Sequence, residues 1–162
     1  NLNVIAILEN QDTGERRVFK THNAVCTTGA RYYAQRSCGE SATNNFVGTN
    51  AGLRLGSGTD TPTVSDTDVK TLISGTGLAV SANYPCTNDS DGNNTGSGTG
   101  VQTWKYYYAA GTGTADGIAE GAIVDHRTTP TAALCHFKFS AAFNKGANDT
   151  LTVFVNHTFA NA

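Results

Sequence analysis

The sequence predicts an all-β protein, a single domain built as a β-sandwich or jelly roll with one or two short accessory helices. Three observations carry that expectation. The chain of 162 residues is poor in charge, at 15% Asp, Glu, Lys and Arg, and rich in glycine, with 18 of them. Strong helix formers are sparse beside Thr, Asn and Gly, which suits short strands and frequent turns. Apolar residues recur mainly at alternate positions, the period of a strand with one buried face.

Taken in order, "NVIAIL" (3–8) is apolar and β-prone, "NQDTGE" is a turn, and "RRVFK" (16–20) alternates again, which predicts an opening β-hairpin with a charged edge. From Thr27 or Thr28 as N-cap, Ala30, Tyr33 and Ala34 fall at helical spacing and predict a helix of about ten residues. Leu53 and Leu55 mark a short strand, after which a Gly/Thr/Pro loop leads to Ser65 or Asp66 as the cap of a helical turn carrying Val69 and Leu72. Residues 77–84 form another strand candidate, and residues 87–100 hold too few apolar groups to anchor anything but an exposed loop. "VQTWKYYYA" (101–109) turns Trp104, Tyr106 and Tyr108 to a core and leaves Tyr107 on the other face. "GIAEGAIVD" (117–125) is a strand with a glycine interruption. Next, 133–143 points Cys135, Phe137 and Phe139 inward, and 149–159 does the same with Leu151, Val153, Val155 and Phe159.

The balance of charge restricts partners. Eleven basic and thirteen acidic residues give a net charge of −2 and lie scattered singly, so nothing in the chain forms a basic footprint for nucleic acid or an anionic membrane. No stretch reaches the roughly 20 apolar residues of a membrane-spanning helix, and the start lacks the pattern of a signal peptide. The chain contains no methionine, so its N-terminus is expected to be either processed or numbered after removal of the initiator. Cys26, Cys38, Cys86 and Cys135 lie far apart with no C-x-x-C pair, so zinc is disfavoured. The four permit up to two disulfides, or stand as buried free thiols; Cys26 and Cys38, if they end one straight helix, lie too far apart to pair.

Several stretches resemble chemical motifs and fail on spacing. "GTGTADG" (111–117) is glycine-rich, yet neither a helix nor Gly-Lys-Ser/Thr follows it, so it reads as a turn rather than a phosphate cradle. "NDSDGN" (88–93) lacks the Glu that closes a calcium loop. His22, His126, His136 and His157 could be combined with Asp125 or Glu120 as a catalytic base or as metal ligands, but they stand on different elements and no catalytic motif surrounds them. "WKYYY" (104–108) could stack a sugar if Trp104 faced a groove; its alternation favours the core or a subunit interface. The sequons at Asn88, Asn93, Asn148 and Asn156 follow from the richness in Asn and Thr.

The order of motifs says more than any single one. "THNAVCTTGARYYAQR", then "AGLRLGSGTDTPTVSDTDV", an aromatic strand, "ADGIAEGAIVD" and "KGANDTLTVFVNHTF" together resemble a family of tailed-bacteriophage virion proteins over roughly residues 18–159. Departures are Cys26 for the usual Thr, Val69 for Leu, the missing Leu in "AEGAI" and the insertion at 86–100. The resemblance implies a structural role in the virion, as a capsid decoration (cement) protein or a tail or baseplate accessory. Its partners would be itself, as a homo-oligomer, and the major capsid or tail proteins, with no cofactor and no catalytic residue. At the marked positions Asp66 is expected to cap a short helix, Gly56 and Gly58 to permit a tight turn, and Glu120 to accept hydrogen bonds from backbone donors around the 111–117 turn. Two other readings stay open: a carbohydrate-binding adhesin or fibre module using Trp104, Tyr107 and the 87–100 loop, and an extracellular filament subunit.

Overall fold

A computed structural model describes residues 4–88 and 100–159. The chain forms β1 (Val4–Asn10), β2 (Arg16–Thr21), β3 (Asn23–Val25), α1 (Thr27–Ser37), β4 (Gly52–Gly56), β5 (Cys86–Asn88), β6 (Val101–Tyr108), β7 (Ala115–Val124), β8 (Ala133–Lys145) and β9 (Asp149–Thr158). These nine strands make two antiparallel sheets, a five-stranded one in the order β2-β1-β9-β6-β5 and a four-stranded one in the order β3-β8-β7-β4. The expected all-β architecture is therefore present.

Period-2 alternation builds the core directly. In the five-stranded sheet, β1, β9 and β6 align Val4 with Val155 and Trp104, Ala6 with Val153 and Tyr106, and Leu8 with Leu151 and Tyr108. All nine are buried and share one cluster with Leu53, Leu55, Ile118, Ile123, Leu134, Phe137, Phe139 and Phe143 from the four-stranded sheet. Large rings on β6 stand beside branched residues on β9, cross-strand pairs that fill one inner face of the sandwich. Phe19 of β2 joins from the edge, its ring stacked 4.0 Å from that of Phe143.

Helix α1 forms, but its N-cap is Cys26 rather than Thr27 or Thr28, and it buries Gly29 and Tyr32 rather than Ala30 and Ala34, which are exposed; Tyr33 is half-buried. Gly29 fixes that orientation, because a Cβ there would lie 2.8 Å from the carbonyl carbon of Leu134. Only a glycine lets helix and strand approach so closely.

Four expectations change. No helix forms at 65–72, because the amides of Lys70 and Thr71 go to Glu120 instead of to carbonyls one turn back. Residues 77–84 are not a strand; Leu78 alone pairs, with Leu53. Phe159 is 58% exposed, edge-on to Tyr33, beyond the last rung of the sheet. β3 is an addition, three residues paired with Cys135, His136 and Phe137. Of the stretch 87–100 read as a loop, Thr87 and Asn88 belong to β5, and 89–99 lie outside the described residues.

The two outer faces of the sandwich differ. Outside the four-stranded sheet, residues 57–76 fold back as a strap over Arg54, Glu120, Ala122, Val124 and His136, all of them buried, and Cys26, Val69, Ala122, Val124 and Ala133 make a second small apolar cluster beneath it. Outside the five-stranded sheet the register sets Lys20, Ile5, Phe154 and Lys105 in one row and Val18, Ile7, Thr152 and Tyr107 in the next. Val18 is 42% and Tyr107 48% exposed, and no described segment lies over them as the strap does over its sheet.

Candidate functional site

The densest chemistry lies under the strap. His136, on the outer face of β8, is fully buried with a carboxylate at each ring nitrogen: Nδ1 is 2.6 Å from Asp66 Oδ2, and Nε2 is 2.7 Å from Glu120 Oε2. Asp66 belongs to the strap and Glu120 to β7, so the imidazole joins two parts of the chain that are 54 residues apart in sequence.

Glu120 is a fastener of backbone. Its Oε1 accepts from the amides of Gly58 (3.0 Å) and Thr71 (2.8 Å), and its Oε2 from the amide of Lys70 (3.1 Å). The expectation of backbone donors is met, at a different place: they come from the strap and not from the 111–117 turn. The even position of Glu120 in β7 points it outward, whereas that turn crosses between sheets with Gly111, Gly113 and Gly117 at positive φ. Gly56 and Gly58 likewise need no special backbone angle. A Cβ on Gly56 would meet Glu120 Oε1 at 2.5 Å and the Thr71 carbonyl oxygen at 2.6 Å, and one on Gly58 would meet Glu120 Cδ and Lys70 Cβ at 2.9 Å. They are glycines because the carboxylate lies against the main chain, not because the chain turns there.

Asp66 caps no helix. Its carboxylate accepts from the Thr63 amide (2.8 Å) and hydroxyl (2.7 Å), from Lys70 Nζ (2.6 Å) and from His136. Burial pushes the carboxyl up, but the hydrogen bonds from Lys70, Thr63 and His136 outweigh it and hold the group well below the usual carboxylate range. Beside it Arg54, 4% exposed, has its Nη1 3.2 Å from Asp68 Oδ2. That pair is a contact of charges rather than a hydrogen bond, since Arg54 Nε and Nη1 and Asp68 Oδ1 find no hydrogen-bond partner among the described residues. Burial pushes Asp68 up.

A second polar group closes the end of the sandwich under α1. The Trp104 indole donates to Tyr33 Oη at 3.1 Å, Tyr33 Oη contacts His157 Nδ1, and the Asn23 amide lies 2.5 Å from His157 Nε2. Burial drives the His157 imidazole down to about 4, so it is neutral at pH 7.

The remaining candidate residues scatter. Trp104 is 0% exposed and therefore offers no surface to a sugar or a partner, while Tyr107 does. The four cysteines are free thiols: Cys26 and Cys135 buried, Cys38 exposed, Cys86 half-buried. Cys26 and Cys38 sit at opposite ends of α1, so their geometry matches the expectation that they do not pair. His22, His126 and Asp125 take no part in the His136 cluster; Asp125 instead accepts from the amides of Thr131 and Ala132, both at 3.0 Å. Asn156 is buried and accepts from Thr103 at 2.5 Å, Asn148 is at the surface, and Asn93 lies outside the described residues.

Sequence reasoning singled out Asp66 and Glu120 but not His136 as their bridge, nor Lys70 and Arg54. The available signal was His136 at an outward position between Cys135 and Phe137, beside the equally outward Ala122 and Val124 of β7. A strand apolar on both faces is a covered strand.

Compared with family models, curated proteins and solved structures, the chain matches none of them.

Proposed function

We propose that the protein is a structural subunit of a bacteriophage particle, a capsid decoration (cement) protein that acts by contacts with copies of itself and with the underlying major capsid protein. The observation that carries this reading is the asymmetry of the sandwich: one outer face is sealed by the strap, and the other presents Val18, Ile7, Ile5, Phe154 and Tyr107 bordered by Lys20 and Lys105. An apolar, aromatic surface with a charged rim is the anatomy of a protein contact. The motif order of residues 18–159 supports a virion setting. The carboxylates of Asp66 and Glu120 and both nitrogens of His136 are taken up in holding the strap, which favours a scaffold role for that cluster. A glycan reading loses its main support with Trp104 in the core, and only Tyr107 of that pair stays available.

The test is sedimentation of the chain alone and with host-derived phage particles, beside the Val18→Glu/Tyr107→Glu double variant. The wild-type chain is expected to associate or to bind particles at concentrations up to about 100 µM, equivalent to about −5.5 kcal/mol, and the variant to lose at least tenfold. Immunogold labelling then separates a shell from a tail position. A wild-type chain that stays monomeric and sediments with no particle refutes the reading.

A further inference from the structure

We infer that His136 is a buried imidazolium that pins the strap to the four-stranded sheet, and that removal of its proton is the event that releases the strap. The protonation state follows from counting acceptor positions. A carboxylate offers four lone-pair sites, two on each oxygen. Glu120 uses all four, for Gly58, Thr71, Lys70 and His136. Asp66 also uses four, for the Thr63 amide and hydroxyl, the Lys70 ammonium and His136. Leaving the ring aside, each carboxylate already meets three donors that favour its ionised form, so the proton in each contact is assigned to the ring and both ring nitrogens of His136 donate. Only the imidazolium carries two ring protons.

The charges around the ring agree. Facing it are Asp66, Asp68 and Lys70 from the strap, Glu120 from β7 and Arg54 from β4. With His136 charged, three cations meet three anions. Lys138, next but one on β8, is directed away to the Thr59 carbonyl, and Cys26 at the start of α1 is a neutral thiol pushed up to about 12, chiefly by burial. Without its proton, one ring nitrogen would aim a lone pair at a carboxylate oxygen, and the buried cluster would carry an unpaired negative charge.

Relief is available on one side only. Glu120 and His136 are held in paired strands, Glu120 opposite Lys138 and Ala122 opposite His136. Asp66 stands on the strap, in a turn stabilised mostly by its own Thr63. The strap therefore leaves and the sheet stays. The sign of the effect follows: the closed form, with a carboxylate at each ring nitrogen, holds a proton that the open form holds less tightly, so raising the pH favours opening.

Two measurements on the full chain test this. In nitrogen-15 spectra of the histidine side chains, assigned with His136→Gln, His136 is expected to show two protonated ring nitrogens at pH 7. Amide exchange, corrected for the intrinsic base-catalysed rate, is expected to show Gly58, Lys70 and Thr71 losing protection as pH is raised while Tyr106 and Val153 keep theirs; in His136→Gln the strap amides are less protected at pH 7 and insensitive to pH. Should that variant not fold, the wild-type exchange series decides alone. A singly protonated ring at pH 7, strap protection that does not change with pH, or strap and core amides failing together would each overturn the inference.

Discussion

Tyr106 and Tyr108 stand two residues apart on β6, both fully buried in the same inner face, and deleting the same atom from each should move stability in opposite directions. The Tyr108 hydroxyl donates to the Thr76 carbonyl at 2.8 Å, which ties the end of the strap to the core. The Tyr106 hydroxyl has no hydrogen-bond partner among the described residues. Burial pushes both phenols far up, so neither ionises in any ordinary assay. An orphaned buried polar group costs about 1–3 kcal/mol. Tyr106→Phe removes that penalty and forfeits only the dispersion contacts of one atom, about 0.5 kcal/mol at 0.1–0.2 kcal/mol for each pair. The net expectation is a gain of about 0.5–2.5 kcal/mol. Tyr108→Phe loses a bond and leaves the Thr76 carbonyl facing a ring, a loss of about 1–3 kcal/mol. For a chain of this length 1 kcal/mol moves the melting temperature by about 2–4 °C, so the two variants should lie on opposite sides of the wild type and several degrees apart. Urea unfolding at pH 7 with unchanged slope measures the same difference directly. If Tyr106→Phe is destabilised as much as Tyr108→Phe, accounting by partner fails and ring packing decides both.

Three further outcomes are expected. Glu120→Gln places an amide nitrogen against at least two of the four donors that now meet the carboxylate, and should lose about 3–5 kcal/mol in urea unfolding, the cost of breaking a buried ion pair by one partner; a loss under 1 kcal/mol would mean the strap holds without it. The imidazole of His157, driven down to about 4 by burial, stays neutral while the unfolded chain takes up a proton below about 6.5. Stability should therefore fall by about 3 kcal/mol as pH drops from 6.5 to 4 and level off below, and His157→Gln should flatten that part of the profile. Titration with an aromatic disulfide should find Cys38 fast and Cys86 slower, while Cys26 and Cys135, buried and pushed up to about 12, should react only on unfolding.

What could be read from the sequence was what depends on near neighbours along the chain. The hairpin of β1 and β2, the helix after Cys26, and the inward sets Trp104/Tyr106/Tyr108 and Leu151/Val153/Val155 follow from period and turn chemistry alone. The helix expected at Ser65 or Asp66 shows where this stops. Locally the segment has a cap and two apolar residues at helical spacing, and its own amides could close a turn; Glu120, some fifty residues later, competes for those amides with a carboxylate and wins, because an ionised acceptor makes the stronger bond. A tertiary acceptor cannot be seen in a window of eleven residues.

The same limit explains the site. Asp66 and Glu120 were marked, but each was given a local partner, a helix end or a nearby turn, when both serve one histidine on a third element. The glycines tell the same story from the other side: Gly56 and Gly58 look like turn residues and Gly29 like an ordinary helix position, and each is instead the place where a side chain or a backbone presses against the main chain. Covering one face of a sandwich needs such close approach; leaving the other face open needs only the alternation already in β1, β2, β6 and β9. A buried charge cluster is weak evidence for stability, because apolar residues of similar volume often replace one at little cost. Here it ties the strap over one face of the sandwich, while no described segment covers the other face at Val18 and Tyr107.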